Sequence, residues 1–313
     1  MTVRYRIGAD ENGLGPRLGP MLVTAVLAEV DEKGHKTVEK KARGSMKARI
    51  GDSKDLMKHG DIALGEAWSR VLCERDGHDA SSPDALVRAI SFDTADALTA
   101  RCPEHVQHQC WGHTTEPFVA EAALLRDVRK DLAKLDASGV RLIAAKSAIV
   151  CTKHLNTEID RGKSRFHVDL HQMERLIMGF RERAGGDVLA VCGKVGGLMK
   201  YEPAFGPLSG RLVSILAEKR EKSAYFFPGV GELRFVMDAD AHDRLVSIAS
   251  LVGKYLRELL MARIVHHYRQ ADETLPDASG YHDPVTTTFV DRTALIRKKR
   301  KVPADCFERR SLG

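Results

Sequence analysis

The chain has 313 residues, 43% of them hydrophobic and 29% charged. That is the balance of a globular protein of one or two domains and excludes a disordered or collagen-like chain. The formal net charge of +6 is compatible with a polyanionic partner and does not demand one. The longest apolar stretch, Met21 to Ala28, is far short of the roughly 20 residues of a spanning helix. Charge in Met1-Thr-Val-Arg-Tyr-Arg6 falls where a signal peptide needs its apolar region, so a cytoplasmic protein with no membrane partner is expected. The six cysteines are scattered and read as free thiols.

Val3 to Ile7 alternates apolar and polar residues and predicts a strand. Gly8 to Pro20 is dense in glycine and proline and predicts a loop. Met21 to Val30 is a continuous, β-branched apolar run, as in a buried strand. The polar segment Asp31 to Lys47 has room for a third strand ending near Val38. From His59 to Asp136 the pattern turns helical. Ile62 to Leu72 keeps helical spacing, Ser82-Pro83-Asp84 is a helix start, and Phe118 to Leu135 is rich in helix formers.

After Gly139, Val140 to Ile149 predicts a strand. Val168 to Arg181 predicts an amphipathic helix with Leu170, Met173, Leu176, Ile177 and Phe180 on one face. Asp187 to Cys192 predicts a short buried strand, Gly193 to Gly197 a turn and Leu233 to Met237 another strand. The longest helix is expected from Asp243 to about His267. Asp272 to Gly313 is polar and basic. Its run Arg297-Lys-Lys-Arg-Lys301 reads first as a solvated tail, second as a phosphate-tracking segment. Strands in the early core with interleaved helices make a mixed α/β chain.

Two peptides bear chemistry. In Ile7-Gly-Ala-Asp10-Glu11-Asn-Gly13-Leu14-Gly15-Pro, two carboxylates stand where a strand meets a glycine-rich turn. Partly desolvated carboxylates need a cation or donors, and hard oxygen ligands suit Mg²⁺ or Mn²⁺. The alternative is a turn whose acids cap backbone amides. In Val236-Met-Asp238-Ala-Asp240-Ala-His-Asp243, Asp240 falls near the start of the longest helix, where it also reads as a plain N-cap. Cys102, His105, His108, Cys110 and His113 are enough ligands for zinc, but their spacing matches no zinc pattern and favours unrelated side chains.

Together these peptides resemble a family. Asp10-Glu-Asn-Gly-Leu-Gly-Pro-Arg-Leu-Gly-Pro20 is similar to the Asp-Glu-Ala-Gly-Arg-Gly-Pro-x-x-Gly-Pro of type 2 ribonucleases H, the ribonuclease HII family. Asp52-Ser53-Lys54 resembles its Asp-Ser-Lys motif. Asp240 with Val246-Ser-Ile-Ala-Ser-Leu-Val-Gly-Lys254 resembles its Asp and Val-Ser-Ala-Ala-Ser-Ile-Val-Ala-Lys, and Gly280-Tyr281-His-Asp283-Pro-x-Thr286 its Gly-Tyr-Pro-x-Asp-Pro-x-Thr. The resemblance implies a ribonuclease H-like α/β fold, a central mixed sheet flanked by helices. It would be built from 1–58 and 137–271, with a mostly helical insertion at 59–136 and a basic C-terminal segment at 272–313.

It also implies an endonuclease that uses Mg²⁺ or Mn²⁺ to hydrolyse RNA in RNA–DNA hybrids or ribonucleotide-containing duplexes. Asp10, Glu11 and Asp240 would be catalytic and metal-binding, and Gly13, Leu14, Gly15, Lys54 and Tyr281 would bind substrate. Lys254 reads as a phosphate contact or a solvated lysine. The chain departs from the pattern twice. Leu14 stands where the family has arginine, and Gly193 stands where it has a fourth carboxylate at a strand end. Asp238 is the nearest replacement, then Asp243, whereas Asp187 lies too far along the strand. Gly193 keeps a second function open, a non-catalytic ribonuclease-H-like module that binds nucleic acid.

Overall fold

The computed structural model describes residues 4–195 and 198–310. Its centre is a seven-stranded mixed sheet in the order β3-β2-β1-β4-β7-β6-β5. The strands are β1 (Tyr5–Asn12), β2 (Met21–Val30), β3 (Val140–Val150), β4 (Val188–Gly193), β5 (Ser214–Glu218), β6 (Lys222–Phe227) and β7 (Gly231–Val236). β1 pairs antiparallel with β2 and parallel with β4, which runs parallel to β7; the other pairings are antiparallel.

Helices cover both faces, as the mixed α/β reading expects. The first is α1 (Glu32–Val38), then α2 (Ser53–Leu56), α3 (Ala63–Arg75), α4 (Pro83–Ile90), α5 (Ala95–Thr99), α6 (Ala122–Ala137), α7 (Thr152–Asp160) and α8 (Arg165–Ala184). After the sheet come α9 (Ala239–His242), α10 (Arg244–Arg269), α11 (Pro284–Arg292), α12 (Ala294–Lys299) and α13 (Ala304–Phe307). Among the described residues no helix is long and apolar enough to cross a membrane.

Alternation along the strands decides which helix each side chain meets. Ile7 and Ala9 of β1 and Ala190 and Cys192 of β4 pack with Leu170, Met173 and Ile177 of α8. Leu22 and Val26 of β2 face the other way, into a core shared by α10, α3 and α6. Trp68 of α3 is fully buried there, and its indole N–H donates to the Arg49 carbonyl at 2.8 Å. The segment expected as an insertion therefore supplies part of the main core.

Three expectations are corrected. The strand expected near Val38 is the helix α1. Asp31 accepts a 2.6 Å bond from Gly34 N–H and starts it, and Gly34 lies so close to Gly139 that a Cβ would stand 1.9 Å from that carbonyl oxygen. β1 runs on through Asn12 into the predicted loop, because its residues stay in register with Thr24, Val23 and Leu22. The basic end is folded: Leu18 forms a strand-like bridge with Glu308, and the Arg297 guanidinium lies 3.9 Å over the Phe307 ring. Of the predicted first strand and turn, Val3, Gly196 and Gly197 lie outside the described residues.

Candidate active site

β1 ends between two helices, and its last residues point alternately to each. A Cβ on Gly8 would meet the backbone of Leu245 and Val246 at 2.4 Å, so even-numbered side chains face α10. Asp10 follows that side and is held by the Ser250 hydroxyl of α10. Glu11 takes the α8 side, where the Leu14 N–H donates to it at 3.0 Å. In the parallel register Ala9 sits opposite Cys192, which sets Asp10 beside Gly193. A Cβ on Gly193 would stand only 2.5 Å from Asp10 Oδ1, so the carboxylate fills the space a side chain would take. Gly193 has ordinary extended backbone.

Asp240 arrives from a distant part of the chain. After β7 the backbone turns at Asp238, whose φ of 50° is left-handed, and the short α9 carries Asp240 back toward β1. The two acids of Asp10 and Asp240 feel each other's charge. Asp52 and Lys54 also face Asp240. The Asp52-Ser53-Lys54 peptide is held there by α10: Ser250 and Ser53 share a 2.9 Å hydroxyl bond, and Ser247 bonds both N–H and carbonyl of Gly51 at 2.7 Å.

The replacements considered for a fourth acid fare poorly. Asp238 is exposed at the turn. Asp243, rather than Asp240, caps the longest helix, accepting from Leu245 and Val246 N–H, and it pairs with buried Arg6 at 2.6 Å. Asp187 is exposed before the far end of β4. Lys254 is absorbed structurally, its ammonium donating to the carbonyls of Ser53 and Met57.

The glycine-rich loop is braced from behind. Gly13 has φ +89°, and a Cβ there would meet Arg257 Nε at 2.9 Å, so glycine is required. Arg165 donates to the carbonyls of Leu14, Gly15 and Pro16, and Arg309 to those of Gly13 and Gly19. Gly15 itself is exposed with open space before its Cα. Beside the loop lies a cleft of about 240 Å³ lined by Glu11, Gly13, Lys54, Arg257 and Tyr281, among others. The Tyr281 ring is 46% exposed and lies 4.5 Å beneath the Arg257 guanidinium.

One acid at the site escaped the sequence. Asp169 of α8 is fully buried, and neither of its carboxylate oxygens has a hydrogen-bond partner in the protein. Burial raises its pKa well above the carboxylate range, with Glu11 and then Asp10 adding to the rise. Burial likewise pushes Asp10 well up, with Asp240 and Glu11 adding and the Ser250 bond opposing. Burial raises Glu11, opposed by the Leu14 amide, Lys54, Arg309 and Arg257. It raises Asp240 too, with Asp52 adding and Lys54 opposing. Clustered acids that are costly to ionise suit a hard divalent cation, and the unpartnered oxygens of Asp169 add donors of the same kind. Among the described residues, no three His, Cys, Asp or Glu side chains stand close enough to hold one ion as they are placed. That holds for the Cys102–His113 stretch as well: His113 bonds His267 and Gln270 at 3.1 Å each.

No protein-family model matches the chain, and no curated protein does. Among solved structures it is similar to the ribonuclease HII of Archaeoglobus fulgidus, solved in complex with PCNA, at 15% identity over 98% of this chain and 96% of that one, TM-score 0.41. The ribonuclease H2 of Pyrococcus horikoshii OT3 is similar at 14% identity over 97% and 92%, TM-score 0.41. A Bst ribonuclease HIII in complex with Mn²⁺ is similar at 11% identity over 97% of this chain and 65% of that one, TM-score 0.44.

Proposed function

We propose that the protein is a divalent-metal-dependent endonuclease that hydrolyses RNA in RNA–DNA hybrids or ribonucleotide-containing duplexes, with Asp10, Glu11 and Asp240 as its acidic centre. The observation that carries this reading is that Asp10 and Asp240, about 230 residues apart in sequence, come near enough for each other's charge to matter, with Lys54 acting on Asp240 and on Glu11, which lines the cleft with it. Asp10, Glu11 and Asp240 would hold Mg²⁺ or Mn²⁺, which would supply an activated water and stabilise the leaving oxygen. The chain's own residues prepare the rest. Asp10, Glu11 and Asp240 hold negative charge at the strand end. Lys54 sets positive charge at the cleft where phosphates would lie, Gly15 lets a sugar edge approach the backbone, and Tyr281, backed by the buried Arg257 that pairs with Glu258, offers an exposed ring for stacking. Leu14 brings no guanidinium, so recognition at the loop falls to its backbone. Gly193 favours a second reading, the non-catalytic nucleic-acid-binding module.

The test is incubation with labelled RNA–DNA hybrid and Mg²⁺ or Mn²⁺, beside Asp10→Asn. The nuclease reading expects cleavage that falls by ~100-fold or more in the variant, while hybrid binding persists and weakens with salt at roughly −0.9 in log affinity per neutralised phosphate. Salt-sensitive binding without cleavage by the wild type would transfer the protein to the second reading, and no binding at all would end both.

A further inference from the structure

Asp169 lies in α8 between Val168 and Leu170, on the side of the helix that packs against the sheet. It is fully buried, and both carboxylate oxygens lack a partner in the protein. Buried polar groups are nearly always satisfied, and a carboxylate left bare costs more than most. Its neighbours do not relieve it. The charged groups near enough to act on it are Glu11, on the same side of β1, and Asp10, on the other, both acidic, while Cys192 and Tyr201 in turn feel its negative charge. Arg165, one helical turn earlier, turns both of its terminal guanidinium nitrogens to the loop carbonyls and to the Arg310 carbonyl. Glu11 points to the same side of β1 as α8, so Glu11 and Asp169 meet from strand and helix.

We infer that Asp169 is a cation ligand, closing with Glu11 a divalent-cation site on the α8 side of the β1 end, across the strand from Asp10. The inference rests on the acidic centre of the proposed function, not on its substrate. A hard cation answers both requirements at once: it fills the vacant acceptor positions of Asp169 and offsets the charge that the three acids otherwise impose on one another. The three carboxylates are not clamped to ion-binding distances as they stand, so binding draws side chains inward and stiffens the contact between α8 and β1. That movement separates this site from a preformed cage and makes Mn²⁺ binding visible as stabilisation of the fold.

The experiment is a calorimetric titration of Mn²⁺ into the wild type and Asp169→Asn, with melting temperatures recorded with and without the ion. Asparagine keeps the shape and removes the charge. The variant should melt higher than the wild type without Mn²⁺, bind Mn²⁺ at least ~10-fold more weakly and gain less stability from it. Should Asp169→Asn misfold, Asp169→Ser is held to the same tenfold loss, and failure of both to fold makes Asp169 a packing residue and overturns the inference. Mn²⁺ affinity within about threefold of wild type also overturns it. Hybrid cleavage on the same samples keeps the two readings apart. A wild type that cuts nothing, paired with weakened Mn²⁺ binding in Asp169→Asn, rejects the nuclease and keeps the cation site. Equal Mn²⁺ binding with full cleavage does the reverse.

Discussion

Gly193 is where a single atom has a measurable consequence. A methyl group there would stand 2.5 Å from Asp10 Oδ1 in a strand of ordinary conformation. Gly193→Ala should therefore destabilise the protein by about 1 kcal/mol, the low end for overpacking, because one side-chain rotation of Asp10 relieves it. Gly193→Asp should lose more, since it presses a second carboxylate on Asp10, and Mn²⁺ should recover the difference. Urea midpoints with unchanged slope are the readout, and a Gly193→Ala protein as stable as wild type would contradict the packing. Asp10, Glu11 and Asp240 were legible because each sits in a peptide with glycines or a helix start beside it. Asp169 was not. Nothing next to it marks a site, and the apolar stripe that predicted its helix runs past it through Leu170 and Met173. Only the pairing of α8 with β1 shows that this acid faces inward.

At the scale of elements, β1 and α10 are fixed to each other by Arg6 and Asp243. Both are buried, 2.6 Å apart, and Asp243 also caps the helix. Arg6 has a second partner in Glu39 at 3.0 Å, which is exposed and contributes less. Asp243→Ala removes the cap and leaves a buried guanidinium with the exposed Glu39 as its acidic partner, so a loss of about 3 kcal/mol, the low end for a broken buried pair, is expected; replacing Arg6 by Met in the same chain should recover part of it. An additive double variant would show that the pair is not coupled. The long strands and α8 and α10 were readable from periodicity because each buries a continuous apolar face. The β5–β6 hairpin was not: β5 sits at the sheet edge with Ile215 and Leu216 exposed, so it lacks the alternation that burial imposes. α1 was misread although its capping acid Asp31 stands in the sequence; the close packing of Gly34 on Gly139, more than a hundred residues away, does not.

For the molecule as a whole, stability should fall in mild acid through His267. This side chain is fully buried, and its Nε2 has no partner in the protein. Burial lowers its pKa to about 4, with Arg300, His113 and His266 adding to the effect. Unfolded, it would take up a proton below its ordinary value of 6.5; folded, it resists until about 4. Protons therefore favour the unfolded chain between those values, and its contribution is complete above pH 6.5 and lost as pH falls toward 4. Urea unfolding across that window should show the slope in the wild type and a flatter profile in His267→Gln. Matching profiles would rule His267 out.

The Arg309 guanidinium grips the carbonyls of Gly13 and Gly19 from 290 and more positions downstream. Protein synthesis makes this loop about 290 residues before the arginine that braces it. A growing chain can form β1 and β2 early, but it carries the loop unbraced until Arg309 has been made. The braced form of the loop is therefore acquired late, and the slow closure expected of so distant a contact sets when a newly made molecule first holds it.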